Sequence, residues 1–353
     1  MKARAFPATA VMTLCILCMM TMGMAVGGCS CAVKKMIDQV SVTTRGLALF
    51  NEVAQKANQG YDVREARAKW FEALDAYGRG DYTLTDQLIE EASRKLEKAR
   101  KVGERLFYKS SGGLTVSGLL FKPTQGSQPW PTIIVNHAGF GTAGDFSEVA
   151  LNIRDHGYLV FSPDYRGSGE SEGSHEGAKG EVDDVIHAID FLKSLGLVED
   201  NRLGLYGQSH GAAVAMIVAG RYPDIKAVVE EAGFTDAVGL YENAARSDDP
   251  YIKQSMKETL PLVGGTPDQV PQEYAVRSAI NYVDSIKAPM LIIHGEKDPL
   301  IPVKQAYQMY DALKAAGKTV EIKIYPNEAH CVGDPVNRAE VWQMMLAWFE
   351  KYV

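Results

Sequence analysis

From Glu104 to the C-terminus, short apolar runs alternate with stretches whose apolar residues recur at helical spacing, and no other feature restricts the fold of this chain as much. Eight runs read as strands: "RLFYK", "LTVSGLLFKP", "TIIVNH", "YLVFSPD", "RLGLYG", "IKAVVE", "MLIIHG" and "VEIKIYP". Amphipathic patterns lie between the later ones, over residues 147–156, 180–195, 210–221, 303–316 and 336–352. Strands joined by helix-length connections pair in parallel, because the crossover returns the chain to the same end of the sheet. The strands are almost continuously apolar, which suits a sheet covered on both faces. The first two runs are close enough for a hairpin. The expectation is an α/β fold over 104–353: a mostly parallel eight-stranded sheet covered by helices. Between the sixth and seventh runs lies a long segment, 234–287, with helical pieces around "LVGGTPDQVP". An insertion there is expected to form a cap over the C-terminal ends of the strands.

Upstream, the pattern is helical throughout. Residues 29–103 form a separate segment in which Trp70, Leu74 and Tyr77, then Leu88, Ala92 and Leu96, fall on helix stripes, with "GRGDYT" as the turn between them. This predicts a helical hairpin packed on the main domain. A tetratricopeptide-like unit is the alternative, but one hairpin cannot stack a solenoid. The first 28 residues read as a signal peptide. Lys2 and Arg4 precede a run, 8–26, that is apolar or small throughout, and Val26-Gly27-Gly28-Cys29 follows. Small residues before a cysteine are the pattern of a bacterial lipobox, in which Cys29 is lipidated and becomes the new N-terminus. An uncleaved membrane helix is the competing reading. Either way the body of the protein is exported, and a lipid on Cys29 makes the membrane a partner. Four of the five cysteines lie in the first 31 residues, so the body is no disulfide-built scaffold.

The chemistry centres on Gly207-Gln208-Ser209-His210-Gly211, which follows a strand and opens a helix. In that context G-x-S-x-G holds a serine at the tip of a sharp bend, where its hydroxyl is accessible and the helix N-terminus favours negative charge. A serine hydroxyl is a weak nucleophile near neutral pH, so it needs a base, and the base needs an orienting acid. After the seventh strand, "HGEKDP" offers Asp298, with Glu296 as the weaker candidate because it follows the strand too closely to swing freely. After the eighth, "PNEAHC" offers His330 shortly before the last helix. Two backbone amides would hold the oxyanion: that of His210, next after the serine, and one from "VNHAGFGTAG" after the third strand, for which Ala138 is the candidate. Glu230 and Glu231 end the sixth strand at the edge where ligands bind in open α/β folds, so they are candidate substrate-binding carboxylates. The competing expectation leaves them at a solvated strand end or paired with nearby Arg or Lys.

These residues resemble the α/β-hydrolase superfamily, and within it the catalytic domain of the prolyl oligopeptidase family. The resemblance runs from about Leu106 to the C-terminus. It rests on His137-Ala138-Gly139-Phe140, on Asp164-Tyr165-Arg166-Gly167-Ser168-Gly169, on the turn at Ser209, and on the long run from Gly264 through Asp298 to Pro302. It implies a serine hydrolase with Ser209, Asp298 and His330 as its triad. Many members carry a β-propeller before the catalytic domain, where this chain has the helical segment. Several also use a tyrosine hydroxyl where this chain has His137, which leaves both peptidase and esterase open.

The expected activity is cleavage of an ester or amide bond in a small ester or short peptide through an acyl-enzyme, without cofactor or metal. No zinc-type Cys/His spacing is present. A net charge of −7 argues against a nucleic-acid partner, which needs a basic surface. The alternative from another class is a non-catalytic, membrane-tethered lipoprotein that binds a partner through its helical segment.

Overall fold

The computed structural model describes the backbone of residues 30–353 and the side chains from Gln39 onward. The signal peptide and Cys29 lie outside the described residues. Among these residues, no helix is long and apolar enough to cross a membrane. The chain divides into two compact units: one reaches Lys56 and takes in Val63–Arg100, and the other comprises Ala57–Asp62 and Lys101–Val353.

The first unit is built from three helices rather than a hairpin: α1 (Ser30–Asn58), α2 (Arg64–Gly78) and α3 (Tyr82–Glu97). Asp81 caps α3 by accepting from Leu84 N at 3.0 Å, which places the predicted turn. The buried stripe of α2 is Ala66, Ala73 and Ala76, whereas Leu74 is 43% exposed and Trp70 leans on Phe50 with ring centroids 4.9 Å apart. The expected Trp70–Leu74–Tyr77 stripe is therefore displaced. Alanines admit a close helix approach that larger side chains block, and α1 supplies the bulk with Val42, Leu49 and Val53.

The second unit holds one eight-stranded sheet in the order β1-β2-β4-β3-β5-β6-β7-β8. Its strands are β1 (Gly103–Lys109), β2 (Thr115–Phe121), β3 (Trp130–Asn136), β4 (Leu159–Pro163), β5 (Val198–Gln208), β6 (Ala227–Glu231), β7 (Met290–Gly295) and β8 (Val320–Tyr325). Pairing is antiparallel from β1 to β2 and from β2 to β4, and parallel everywhere else. This is the mostly parallel sheet that the alternating pattern predicts. The helices α4 (Ser147–Arg154), α5 (Gly180–Ser194), α6 (His210–Arg221), α10 (Lys304–Ala315) and α11 (Pro335–Tyr352) flank it. Two apolar cores result, one on each face, around Phe161, Leu205 and Ile292 and around Val135, Val229 and Ile293. Alternation along β6 and β7 sends neighbouring residues into opposite cores.

Between β6 and β7 run α7 (Ala237–Arg246), α8 (Pro250–Val263) and α9 (Pro271–Arg277). They are tied to the C-terminal ends of the strands. Gln305 Oε1 accepts from the amides of Thr235 and Asp236 at 2.8 and 2.9 Å. Asn243 on α7 donates to Pro299 O at 3.2 Å, and Arg277 on α9 donates to Glu176 O at 2.7 Å. The insertion thus reaches both the loop after β7 and the loop after β4.

Candidate active site

Ser209 is the single residue between β5 and α6, with φ 55° and ψ −120°. That conformation costs a non-glycine residue about 1–3 kcal/mol and persists only where neighbours over-determine it. The neighbours are the reason for the glycines. A Cβ on Gly207 would lie 2.2 Å from Gly211 O, and one on Gly211 would lie 2.2 Å from Asn136 O. The second contact also shows that the loop after β3 abuts the bend. Asn136 Nδ2 donates to Tyr206 O at 2.9 Å, binding the ends of β3 and β5 together.

The other two residues come from further along the chain. His330 Nε2 lies 2.9 Å from Ser209 Oγ, and His330 Nδ1 lies 2.7 Å from Asp298 Oδ2. Asp298 Oδ1 accepts from the amides of Leu300 and Ile301, each at 2.9 Å. Burial pushes the Asp298 carboxyl up, but hydrogen bonds from His294 and His330 and the amide of Ile301 outweigh it and leave it at about 2. It is therefore ionised throughout the range in which an imidazole titrates. Glu296 is exposed and points its amide to Tyr325 O, so it takes no part in the arrangement. The loop bearing His330 is held by Glu328, which accepts from Gly333 N at 2.9 Å and Asn337 Nδ2 at 2.6 Å.

The loop after β3 is anchored from below. Asp164, fully buried, accepts from Ser117 Oγ at 2.5 Å, from Ala143 N at 2.8 Å and from Arg105. Its carbonyl lies 3.1 Å from His137 Nε2. His137 is buried, and burial lowers its pKa, so the ring serves the loop in its neutral form. Ala138 accepts from Gly141 N at 3.1 Å, and Ala138 and His210, the residue after the serine, are both partly exposed. The "DYRGSG" motif is thus a brace: Arg166 pairs with Asp184 at 2.9 Å and Glu176 at 2.6 Å, and Asp164 holds the loop.

The carboxylates at the end of β6 require a correction. Both Glu230 and Glu231 are fully buried, so neither sits at a solvated strand end, and Glu231 is instead paired with an arginine, as the competing expectation allowed. Glu231 is enclosed by donors: Arg338 at 2.7 and 2.8 Å, Tyr206 Oη at 2.9 Å and Val332 N at 2.9 Å. Burial pushes its carboxyl up, but Arg338 outweighs that and the net shift is down. Glu230 faces the other core and, among the described residues, accepts only from Gly233 N, at 2.9 Å. Burial pushes it up to about 7. Sequence reasoning passed over His294, which is fully buried and lies 3.3 Å from Asp298 Oδ2. The available signal was its place two residues beyond the strand partner of Glu230.

Residues 145–353 match the prolyl oligopeptidase family. The uncharacterized peptidase YtmA of Bacillus subtilis is 31% identical over 236 residues, covering 66% of this chain and 88% of that protein. The acylamino-acid-releasing enzyme of Arabidopsis thaliana is 26% identical over 237 residues, covering 63% of this chain but 30% of that protein. A solved puromycin-hydrolyzing peptidase of Mycobacterium tuberculosis shares the fold, with a TM-score of 0.63 at 20% identity over 71% of this chain and 39% of that one. The reading of the chain as a non-catalytic, partner-binding protein gives way to that of a hydrolase. The chain belongs to the prolyl oligopeptidase family and is a serine hydrolase of the α/β-hydrolase type.

Proposed function

We propose that this hydrolase cleaves amide bonds in short peptides or acylated amino acids through an acyl-enzyme on Ser209, and esters of similar size by the same route. The observation that carries the reading is the continuous line from Ser209 Oγ to His330 at 2.9 Å and on to Asp298 at 2.7 Å. His330 takes the hydroxyl proton as Ser209 attacks the carbonyl. Asp298 holds the imidazole in the tautomer whose Nε2 accepts, then stabilises the imidazolium. His330 returns the proton to the leaving group, and a water activated by the same ring releases the acid. The amides of His210 and Ala138 are the proposed oxyanion donors, supported by the contact of Gly211 with the loop after β3. The peptidase names of the relatives support an amide substrate.

A fluorophosphonate probe should label wild type, lose its label in Ser209→Ala and label His330→Ala weakly. Labelling that survives Ser209→Ala overturns the assignment. Aminoacyl and dipeptidyl amides compared with p-nitrophenyl esters test the substrate class. We further propose that Cys29 carries a lipid that anchors the protein to a bacterial membrane, periplasmic or at the cell surface. The Gly27-Gly28 pair before it supports this. Cys29→Ser should then move the protein from the membrane to the soluble fraction, whereas a mutant that stays membrane-bound at unchanged mass points to an uncleaved anchor.

A further inference from the structure

The loop after β3 is held by a residue from far upstream. The last two residues of α1 and the link that follows, Ala57–Asp62, belong to the second unit rather than the first. Gly60 fixes this link to the start of β1. Its carbonyl accepts from Val102 N at 2.9 Å and Gly103 N at 2.8 Å, and Tyr61 bridges to Lys101. A Cβ on Gly60 would lie 2.5 Å from Gly103 O, so the two segments meet backbone to backbone. Asn58, half-buried, is thereby set against the loop after β3.

Both oxygens of Asn58 are used there. Oδ1 accepts from Thr142 Oγ1 at 2.7 Å and from Gly144 N at 3.1 Å. The carbonyl oxygen accepts from Arg105 Nη2 at 2.6 Å, and Arg105 in turn pairs with Asp164. A helical turn, Ala143–Phe146, starts at this point, and the first amides of such a turn have no acceptor within it. Two side chains distant in sequence supply the acceptors: Asp164 for Ala143 N at 2.8 Å, and Asn58 for Gly144 N. Gly144 is buried, and a Cβ on it would lie 2.2 Å from Asn58 Oδ1, so the fit leaves room for glycine only.

The span between the two ends of the loop carries the proposed oxyanion donor. Upstream the loop is fixed at His137, whose Nε2 lies 3.1 Å from Asp164 O, and downstream it is fixed at Thr142 and Gly144. Between them, Gly141 N donates to Ala138 O at 3.1 Å, and Gly141 O accepts from Ser168 Oγ. The turn from Ala138 to Gly141 is therefore tied directly to Thr142. We propose that Asn58 is a positioning residue for the reaction: by holding Thr142 and Gly144 it fixes where the Ala138 amide points. The inference rests on the reading of that amide as an oxyanion donor. Asn58 precedes both β1 and the matched residues 145–353, so the role falls to a part of the chain that the hydrolase sheet does not include.

The test uses two variants of the full chain. Asn58→Leu keeps the size of the side chain and removes its acceptor, whereas Asn58→Asp keeps the acceptor, with Arg105 alongside. In Asn58→Leu, deuterium exchange of the amides in residues 138–146, read by mass spectrometry, should quicken about tenfold or more while α6 is unchanged. For a p-nitrophenyl ester, kcat per site titrated with fluorophosphonate should fall about tenfold or more, with KM changed by less than about twofold. Affinity for a peptidyl trifluoromethyl ketone, whose adduct places an oxyanion at the site, should weaken in proportion to kcat/KM. Asn58→Asp should recover most of each loss. Loop exchange unmoved in Asn58→Leu overturns the part played by Asn58, and so do equal losses in the two variants. Exchange that quickens with kcat and ketone affinity unchanged overturns Ala138 as the donor, and the positioning role with it. The exchange measurement needs no turnover, so it reads the hold on the loop even if fluorophosphonate labelling shows that Ser209 is not the nucleophile.

Discussion

The end of β6 presents two adjacent carboxylates to opposite faces of the sheet, and the two faces use buried charge in opposite ways. Glu231 meets Arg338, Tyr206 and Val332, so its charge is matched and every oxygen is occupied. Glu230 meets one amide and pairs with no cation among the described residues, so its charge is unmatched and burial drives it toward the neutral form. The first arrangement is structural: the pair joins α11 to the sheet and, through Val332, holds the loop that carries His330. The second leaves Glu230 Oε1 without a hydrogen-bond partner among the described residues. A buried charge fixes structure when it is fully paired, and only an incompletely paired one is left to titrate.

Four experiments sharpen this comparison. The largest effect belongs to Ser209 and Asp298, where rate is lost without stability. Ser209→Ala should lower turnover about 10⁴-fold or more, and Asp298→Asn by a similar factor, because Asn presents the wrong partner to His330. The melting temperature of Ser209→Ala should not fall. Removal of the strained φ of a bulkier side chain is not involved, since alanine keeps its Cβ.

The Glu231 face should behave in reverse. Arg338→Met leaves a buried carboxylate unpaired and should cost about 3–5 kcal/mol in urea unfolding. Turnover per folded molecule should change by less than about tenfold. A rate loss as large as that of Asp298→Asn would erase the distinction between the faces.

The third effect is one of sign. Glu231 is shifted down, so the stability it contributes is present above the ordinary carboxylate range and lost as pH falls through its folded value. Glu230 is shifted up from 4.5 to about 7, so its contribution is present below 4.5 and is lost as pH rises toward 7 and beyond. Unfolding free energies measured from pH 4 to 9 should show Glu230→Gln gaining on wild type toward alkaline pH, by on the order of 3 kcal/mol. Glu231→Gln should instead flatten the acid limb. The same slope in both variants would show that the carboxylates are not distinct. The smallest effect is expected at Glu296, exposed and two residues before Asp298. Glu296→Gln should change kcat less than about threefold and stability by less than about 0.5 kcal/mol, and a large loss would show that the acid was misassigned.

Much of this was legible in the sequence because its causes are local. Periodicity is a property of consecutive residues, so the eight strands and the flanking helices could be read directly, and β5, Ser209 and α6 followed from an apolar run, a tight bend and a string of alanines. The candidate residues Ser209, Asp298 and His330 were readable because each sits on a loop whose place in the chain follows from strand counting. Where several side chains compete for one neighbour, local pattern was silent. The inward row of α2 went to alanines because a third helix approached closely, and that helix's partners are distant in sequence. Glu230 and Glu231 read as substrate-binding carboxylates, or as a strand end solvated or paired with Arg or Lys, yet both are buried, and only the packing assigned Arg338 to Glu231 and the amide of Gly233 to Glu230. Which strand faces which core is set by alternation within a few residues. Which charge meets which partner across 60 or 100 residues is set by topology, and a short-range pattern carries no information about it.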